Sequence, residues 1–172
     1  MKEIRWHARA GQGAKTASQL LALALLREGK SVQAFPEYGP ERRGSPMRAY
    51  TRYDEAPIRR HDSIEEPDAV VVLEASLAHA PDVRAGLRPE GFLLVSSEQP
   101  LHGALCVPAV RIAPDSVNLV MLGALAAKLG EPQLDGLLAA AVELLGRKAD
   151  ADAIQAALAA GYAAVKEERW AA

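Results

Sequence analysis

Cysteine is nearly missing from this chain of 172 residues: Cys106 is the only one. One thiol makes no internal disulfide, and it cannot by itself hold an iron–sulfur cluster or a cysteine-bound structural zinc. An excess of charge is missing too. Twenty basic residues meet 22 acidic ones, a formal charge of −2, which gives no general attraction to nucleic acid or to an anionic membrane. The longest apolar run, around Val117 to Ala127, is too short to cross a bilayer. No early segment combines a basic start, an apolar stretch and a small-residue cleavage site, so a cytoplasmic chain is expected. His7, His61, His79 and His102 are scattered without metal-ligand spacing. Cys106 lies in an apolar stretch and reads as a small buried hydrophobe, not a nucleophile.

What is present is ordinary globular composition, 49% apolar and 24% charged, at a length that suits one domain over 1–172. The alternation of Lys2 to Ala8 predicts a strand. Thr16 to Glu28, rich in Leu and Ala, predicts a helix stopped by Gly29 and buried on more than one side. A short strand follows at Ser31 to Phe35, then a loop from Pro36 to Pro46. Met47 to Tyr53 alternates like a strand with one wet face. Ala69 to Leu73 and Phe92 to Ser96 are continuously apolar, as in strands covered on both faces, with a short irregular helix between them at Ala75 to Leu87. Leu105 to Ile112 predicts a further strand interrupted by Pro108. Asp115 is placed to cap a helix through Leu129, and Leu134 to Leu145 and Asp152 to Glu168 predict two more. Strands alternating with helices give an α/β class: a Rossmann-like, mostly parallel sheet with helices on both faces and a helical C-terminal third.

The first predicted strand-to-helix turn reads "HARAGQGAKTAS". A Walker A loop fails there, because Lys15 and Thr16 match its end while Arg9 and Ala14 stand where its glycines belong. The dinucleotide pattern G-x-G-x-x-G fits in part: Gly11 and Gly13 are present, Thr16 replaces the third glycine, and Glu37 is the acid beyond the second strand that would meet a ribose. The competing reading is that the glycines serve only a tight turn and close helix–sheet packing. In either case the N–H groups at the helix start, beside Gln12, Lys15 and Thr16, form a candidate anion site. In "PEYGPERRG", Arg42 and Arg43 are adjacent in a stiff loop and suit bidentate capture of phosphate or carboxylate; neutralisation by Glu37 or Glu41 is the alternative. Asn118, at the start of an apolar helix, reads as a capping or buried-network residue. The small-residue face of Ala153 to Ala164 reads as close helix packing.

Four segments, "HARAGQGAKTAS", "FPEYGPERRGSPMRAYTR", "EPDAVVVLEASL" and "NLVMLGALAAKLG", together with "KADADAIQAALAAGYAAVKE" near the end, resemble in order and spacing the γ subunit of 2-oxoacid:ferredoxin oxidoreductases, above all the pyruvate and branched-chain members. The chain departs from the family's usual Gly-Arg-Gly-Gly-Gln-Gly by carrying Ala8 and Ala10 at two of those glycines. The resemblance implies one subunit of a heteromeric enzyme that releases carbon dioxide from a 2-oxoacid, forms an acyl-CoA and passes two electrons to ferredoxin. It implies no cofactor on this chain. Thiamine diphosphate, Mg and the iron–sulfur clusters would sit on thiamine-binding and ferredoxin-like partner chains, in keeping with the lone cysteine and the lack of a Gly-Asp-Gly diphosphate motif. Gly11, Gln12, Gly13, Lys15, Thr16, Arg42 and Arg43 would then lie beside the path of the co-substrate CoA. The isolated chain is expected to be inactive and to self-associate. Two other readings stand beside this one: a free-standing NAD(P)-dependent reductase, weakened by Thr16, and a CoA- or nucleotide-binding module.

Overall fold

The computed structural model describes residues 1–37, 44–146 and 150–167; Arg42 and Arg43 lie outside the described residues. Strand β1 (Lys2–Arg9) leads through a glycine turn into α1 (Ala14–Arg27), then β2 (Ser31–Glu37) and β3 (Pro46–Asp54). Next come β4 (Ala69–Val72), a 3-10 turn (Ala75–Leu77), the one-turn helix α2 (Pro81–Arg84), β5 (Phe92–Ser96) and β6 (Leu105–Val107). The chain ends in α3 (Ala109–Ile112), a second 3-10 turn (Pro114–Ser116), α4 (Val117–Leu129), α5 (Leu134–Leu145) and α6 (Ala151–Glu167).

The six strands are ordered β2-β3-β1-β4-β5-β6. β1, β4, β5 and β6 pair parallel, while β3 is antiparallel to both β1 and β2. Since β3 reverses twice, β2 points the same way as β1, and the sheet is mostly parallel with one reversed strand inserted. Alternation along the strands sorts the two faces. Ile4, Trp6, Ala69, Val71 and Leu94 pack in one core with residues of α1, α4, α5 and α6. Val70, Val72, Leu93 and Val95 face the other way, onto Ala78 and Val83. Among the described residues helices therefore cover both faces, but unequally: four long ones on the first, and short turns on the second.

In the helical layer α4 and α6 touch backbone to backbone. A Cβ on Gly123 would lie 2.1 Å from the Leu158 carbonyl oxygen, and one on Gly161 would lie 1.9 Å from that of Val120. The predicted small-residue face is this contact.

Five expectations are corrected. β2 runs on through Pro36 and Glu37; it is an edge strand, where a residue without an N–H costs no ladder bond. β3 has no wet face: Ala49 to Tyr53 are all buried, because its second face packs into the polar layer described below. The strand after Leu105 stops at Val107, and the chain turns helical, with Ile112 N–H donating to the Pro108 carbonyl at 3.0 Å. Asp115 does not cap α4; it sits exposed in the 3-10 turn, and the residue at the helix start, Ser116, makes no side-chain cap bond either. Finally, α1 begins at Ala14, ahead of Thr16.

Candidate functional site

At the carboxyl end of β1 the backbone reverses through Gly11 (φ 101°) and Gly13 (φ 82°), conformations that side chains disfavour. Gly13 answers a second constraint. A Cβ there would lie 2.5 Å from Asn118 Nδ2, whose N–H groups face the Gly13 carbonyl at 3.4 Å. That contact brings the start of α4 against the start of α1. Neither helix carries a side-chain cap, and the positive ends of two helix dipoles converge on a cleft of about 460 Å³ lined by Gly11, Gln12, Gly13, Glu74, Val117 and Asn118, among others.

Gln12 is held on both sides. Its Oε1 accepts the Arg9 N–H at 2.7 Å, and its Nε2 donates to Glu74 Oε2 at 2.9 Å. Arg9 itself donates to the Gly44 carbonyl and the Ser76 hydroxyl, each at 3.3 Å. Of the predicted residues, Gly11, Gln12 and Gly13 share the cleft. Lys15 is exposed and Thr16 half-buried, and neither lines it. Two carboxylates, Glu74 and Asp115, also line the cleft; sequence reasoning missed Glu74, which the turn after β4 brings in.

Glu37 is elsewhere. It lines a separate cleft of about 370 Å³ with His7, Met47, Arg48, Leu77 and Asp82. A dinucleotide site needs the acid at the end of a strand adjoining β1; here β3 stands between β2 and β1, and Glu37 accepts a hydrogen bond from the Tyr50 hydroxyl. The ribose role is withdrawn, and with it the main support for a reductase. The Tyr-x-x-x-Lys spacing that a reductase could use for catalysis falls at Tyr162 and Lys166, on α6, where Tyr162 packs against the helical core.

Behind this second cleft lies a buried polar layer that the alternating residues of β1 and β3 signalled without revealing their burial. Arg52, fully buried, donates to Glu3 at 2.7 Å and to Gln33 at 3.1 Å. Arg5 donates to the carbonyls of Asp82, Val83 and Ala85 at 3.2, 3.1 and 2.6 Å, closing off α2, and through Nε to His7 Nε2 at 3.1 Å. Burial first, and then the Arg5 and Arg48 charges, push His7 down to about 4, so it is neutral at pH 7. Burial and the hydrogen bond to Glu37 push Tyr50 up to about 12. At the rim Arg48 pairs with Asp82 at 2.7 Å. Among the described residues no group of His, Cys, Asp and Glu could hold a metal ion, and no helix is long and apolar enough to cross a membrane.

Residues 3–166 match the family model described as pyruvate ferredoxin/flavodoxin oxidoreductase. The chain is 42% identical to the pyruvate synthase subunit PorC of Thermotoga maritima, over 95% of this chain and 94% of that protein. It is 43% identical to the pyruvate/ketoisovalerate oxidoreductases common subunit gamma of Pyrococcus abyssi, over 80% of this chain and 83% of that one. A crystal structure of the Thermotoga maritima pyruvate oxidoreductase subunit superposes with a TM-score of 0.81, covering 94% of this chain and 95% of that one at 38% identity. A 2-oxoglutarate:ferredoxin oxidoreductase from Magnetococcus marinus, solved with 2-oxoglutarate, coenzyme A and succinyl-CoA, shares the fold with a TM-score of 0.79 at 18% identity, this chain matching 31% of it.

Proposed function

The chain belongs to the pyruvate ferredoxin/flavodoxin oxidoreductase family, and from that membership we propose that it is the gamma-type, cofactor-free subunit of a heteromeric 2-oxoacid:ferredoxin oxidoreductase. The carrying observation is a family match that runs through nearly the whole chain, residues 3–166. In the reaction a 2-oxoacid loses carbon dioxide, its acyl group passes to CoA, and two electrons pass to ferredoxin. Thiamine diphosphate, Mg and the iron–sulfur clusters belong to partner chains; a cluster needs several thiolates, and Cys106 is alone.

This chain's part is to complete an anion site on the CoA path. N–H groups at the starts of α1 and α4 face the glycine-turn cleft, where they favour a phosphate. Glu74 and Asp115 on the same cleft oppose that charge, and the sequence offers Arg42 and Arg43 as the cations to offset them. The test is reconstitution. Co-expression with the partner chains should give a complex that oxidises a 2-oxoacid in a CoA-dependent way, and omitting this chain should abolish that activity until it is added back. Full activity without it would overturn the reading. In the assembled enzyme, Arg42→Ala with Arg43→Ala should raise the KM for CoA roughly ten- to a hundredfold, the loss of a charge-assisted contact, with the 2-oxoacid KM little changed.

A further inference from the structure

The cleft beside His7 has no part in that proposal, and its chemistry is specific. It lies at the carboxyl end of β1, on the sheet face away from the long helices, where the chain leaves β1 toward one face and β4 toward the other. Open α/β sheets bind ligands at such points. Its volume of about 370 Å³ is at the small end of the range for small-molecule sites. Met47, Leu77 and Val83 make an apolar wall, and His7, only 4% exposed, lines the cleft with them.

The His7 ring is fixed in one tautomer. Arg5 Nε–H can only donate, and it donates to His7 Nε2, so in the neutral ring the proton is on Nδ1. No described residue accepts from Nδ1–H. Nor is that atom sealed in: the one fully buried side-chain nitrogen or oxygen without a partner, among the described residues, is Ser96 Oγ. The cleft is therefore the space into which Nδ1–H is free to donate.

Formal charge around the cleft is already balanced. Arg48 pairs with Asp82 at the rim. Glu37 accepts from the Tyr50 hydroxyl, and the guanidinium of Arg5, hydrogen-bonded to His7, stands behind the cleft as a further positive charge. A charged ligand would leave one of these groups without its counterpart, whereas a neutral one would not. The free donor calls for an acceptor, and the second oxygens of Asp82 and Glu37 call for a donor. A carboxamide offers both on one small planar group.

We propose that this cleft binds a neutral small molecule through a carboxamide that accepts from His7 Nδ1–H and donates to a rim carboxylate, its apolar body against Met47, Leu77 and Val83. Benzamide, benzoate and benzylamine are three probes of similar size on one phenyl ring, with three charges. Titrated into the full chain with the histidine ring ¹⁵N resonances observed, benzamide should shift His7 saturably, and benzoate and benzylamine should bind at least fivefold more weakly. Ala80→Phe, at a lining position whose side chain makes no hydrogen bond to His7 or Arg5, fills the cleft and should remove the benzamide shift while the unfolding transition stays cooperative. Three results would each overturn the proposal: no saturable shift at His7, equal or tighter binding of either charged probe, or an unchanged response in the folded Ala80→Phe variant.

Discussion

His7 sits where a histidine is least free to take up a proton. Burial and the nearby Arg5 and Arg48 hold it down at about 4, against a reference of 6.5, with only Asp82 acting in the opposite sense. An unfolded chain protonates this residue below pH 6.5, and the folded chain refuses the proton until about pH 4. The neutral imidazole therefore stabilises the fold above pH 6.5, and this contribution is lost as pH falls through that window. A separation of this size corresponds to about 3 kcal/mol. Urea unfolding should show midpoints dropping steeply between pH 6.5 and 4.5, and His7→Gln, which keeps an acceptor for Arg5, should flatten that slope. A wild-type midpoint flat across the window would remove the argument. The same logic explains why Arg52 tolerates complete burial: Glu3, Gln33 and the Asp62 carbonyl accept its protons at 2.7, 3.1 and 3.1 Å, and losing one member of such a pair costs far more than the pair contributes.

Among the elements, α4 and α6 make the closest contact in the helical layer, and glycine is what permits it. Gly161→Ala would drive a methyl against the Val120 backbone, a rigid neighbour, and should cost about 2–3 kcal/mol, lowering Tm by roughly 4–12 °C. Gly136 in α5 is the control, because its Cβ would meet only the Glu28 side chain at 3.5 Å. Gly136→Ala should stabilise by roughly 0.5–1 kcal/mol, the ordinary helix preference; calorimetry on the two variants checks both signs. Which of these elements could be read from sequence followed from how local their causes are. The β-branched run at Ala69, the Leu/Ala helix after Thr16 and the small-residue face of α6 each carry their own signal. The burial of Glu3, Arg5 and His7 does not, since alternation with charge reads as a wet face until β3, residues 60–65 and α2 are known to cover it. The cleft divided in the same way: its glycines were legible, while Glu74 and Asn118 reach it only through the topology.

Taken whole, the molecule exposes apolar side chains well apart in sequence, with Leu26, Val110 and Val142 each more than half exposed (53, 54 and 57%). A subunit that buries surface against other chains leaves that surface bare when made alone, and the chain expressed alone should self-associate; light scattering across a concentration series would show mass rising above 18.3 kDa, and a constant monomer mass would count against it. The inserted strand β3 bears on the protein's birth as well as its shape. Chain emerging from a ribosome delivers β1, α1 and β2 first, yet β2 and β1 share no ladder, and each waits for Pro46–Asp54 to come between them. The first 37 residues thus have a helix but no sheet to rest it on: the ladders of β2 need β3, and those of β1 need both β3 and β4. Even then Trp6 and Leu20 share their core with α4, α5 and α6, so the face they line is completed only by the last third of the chain to be made.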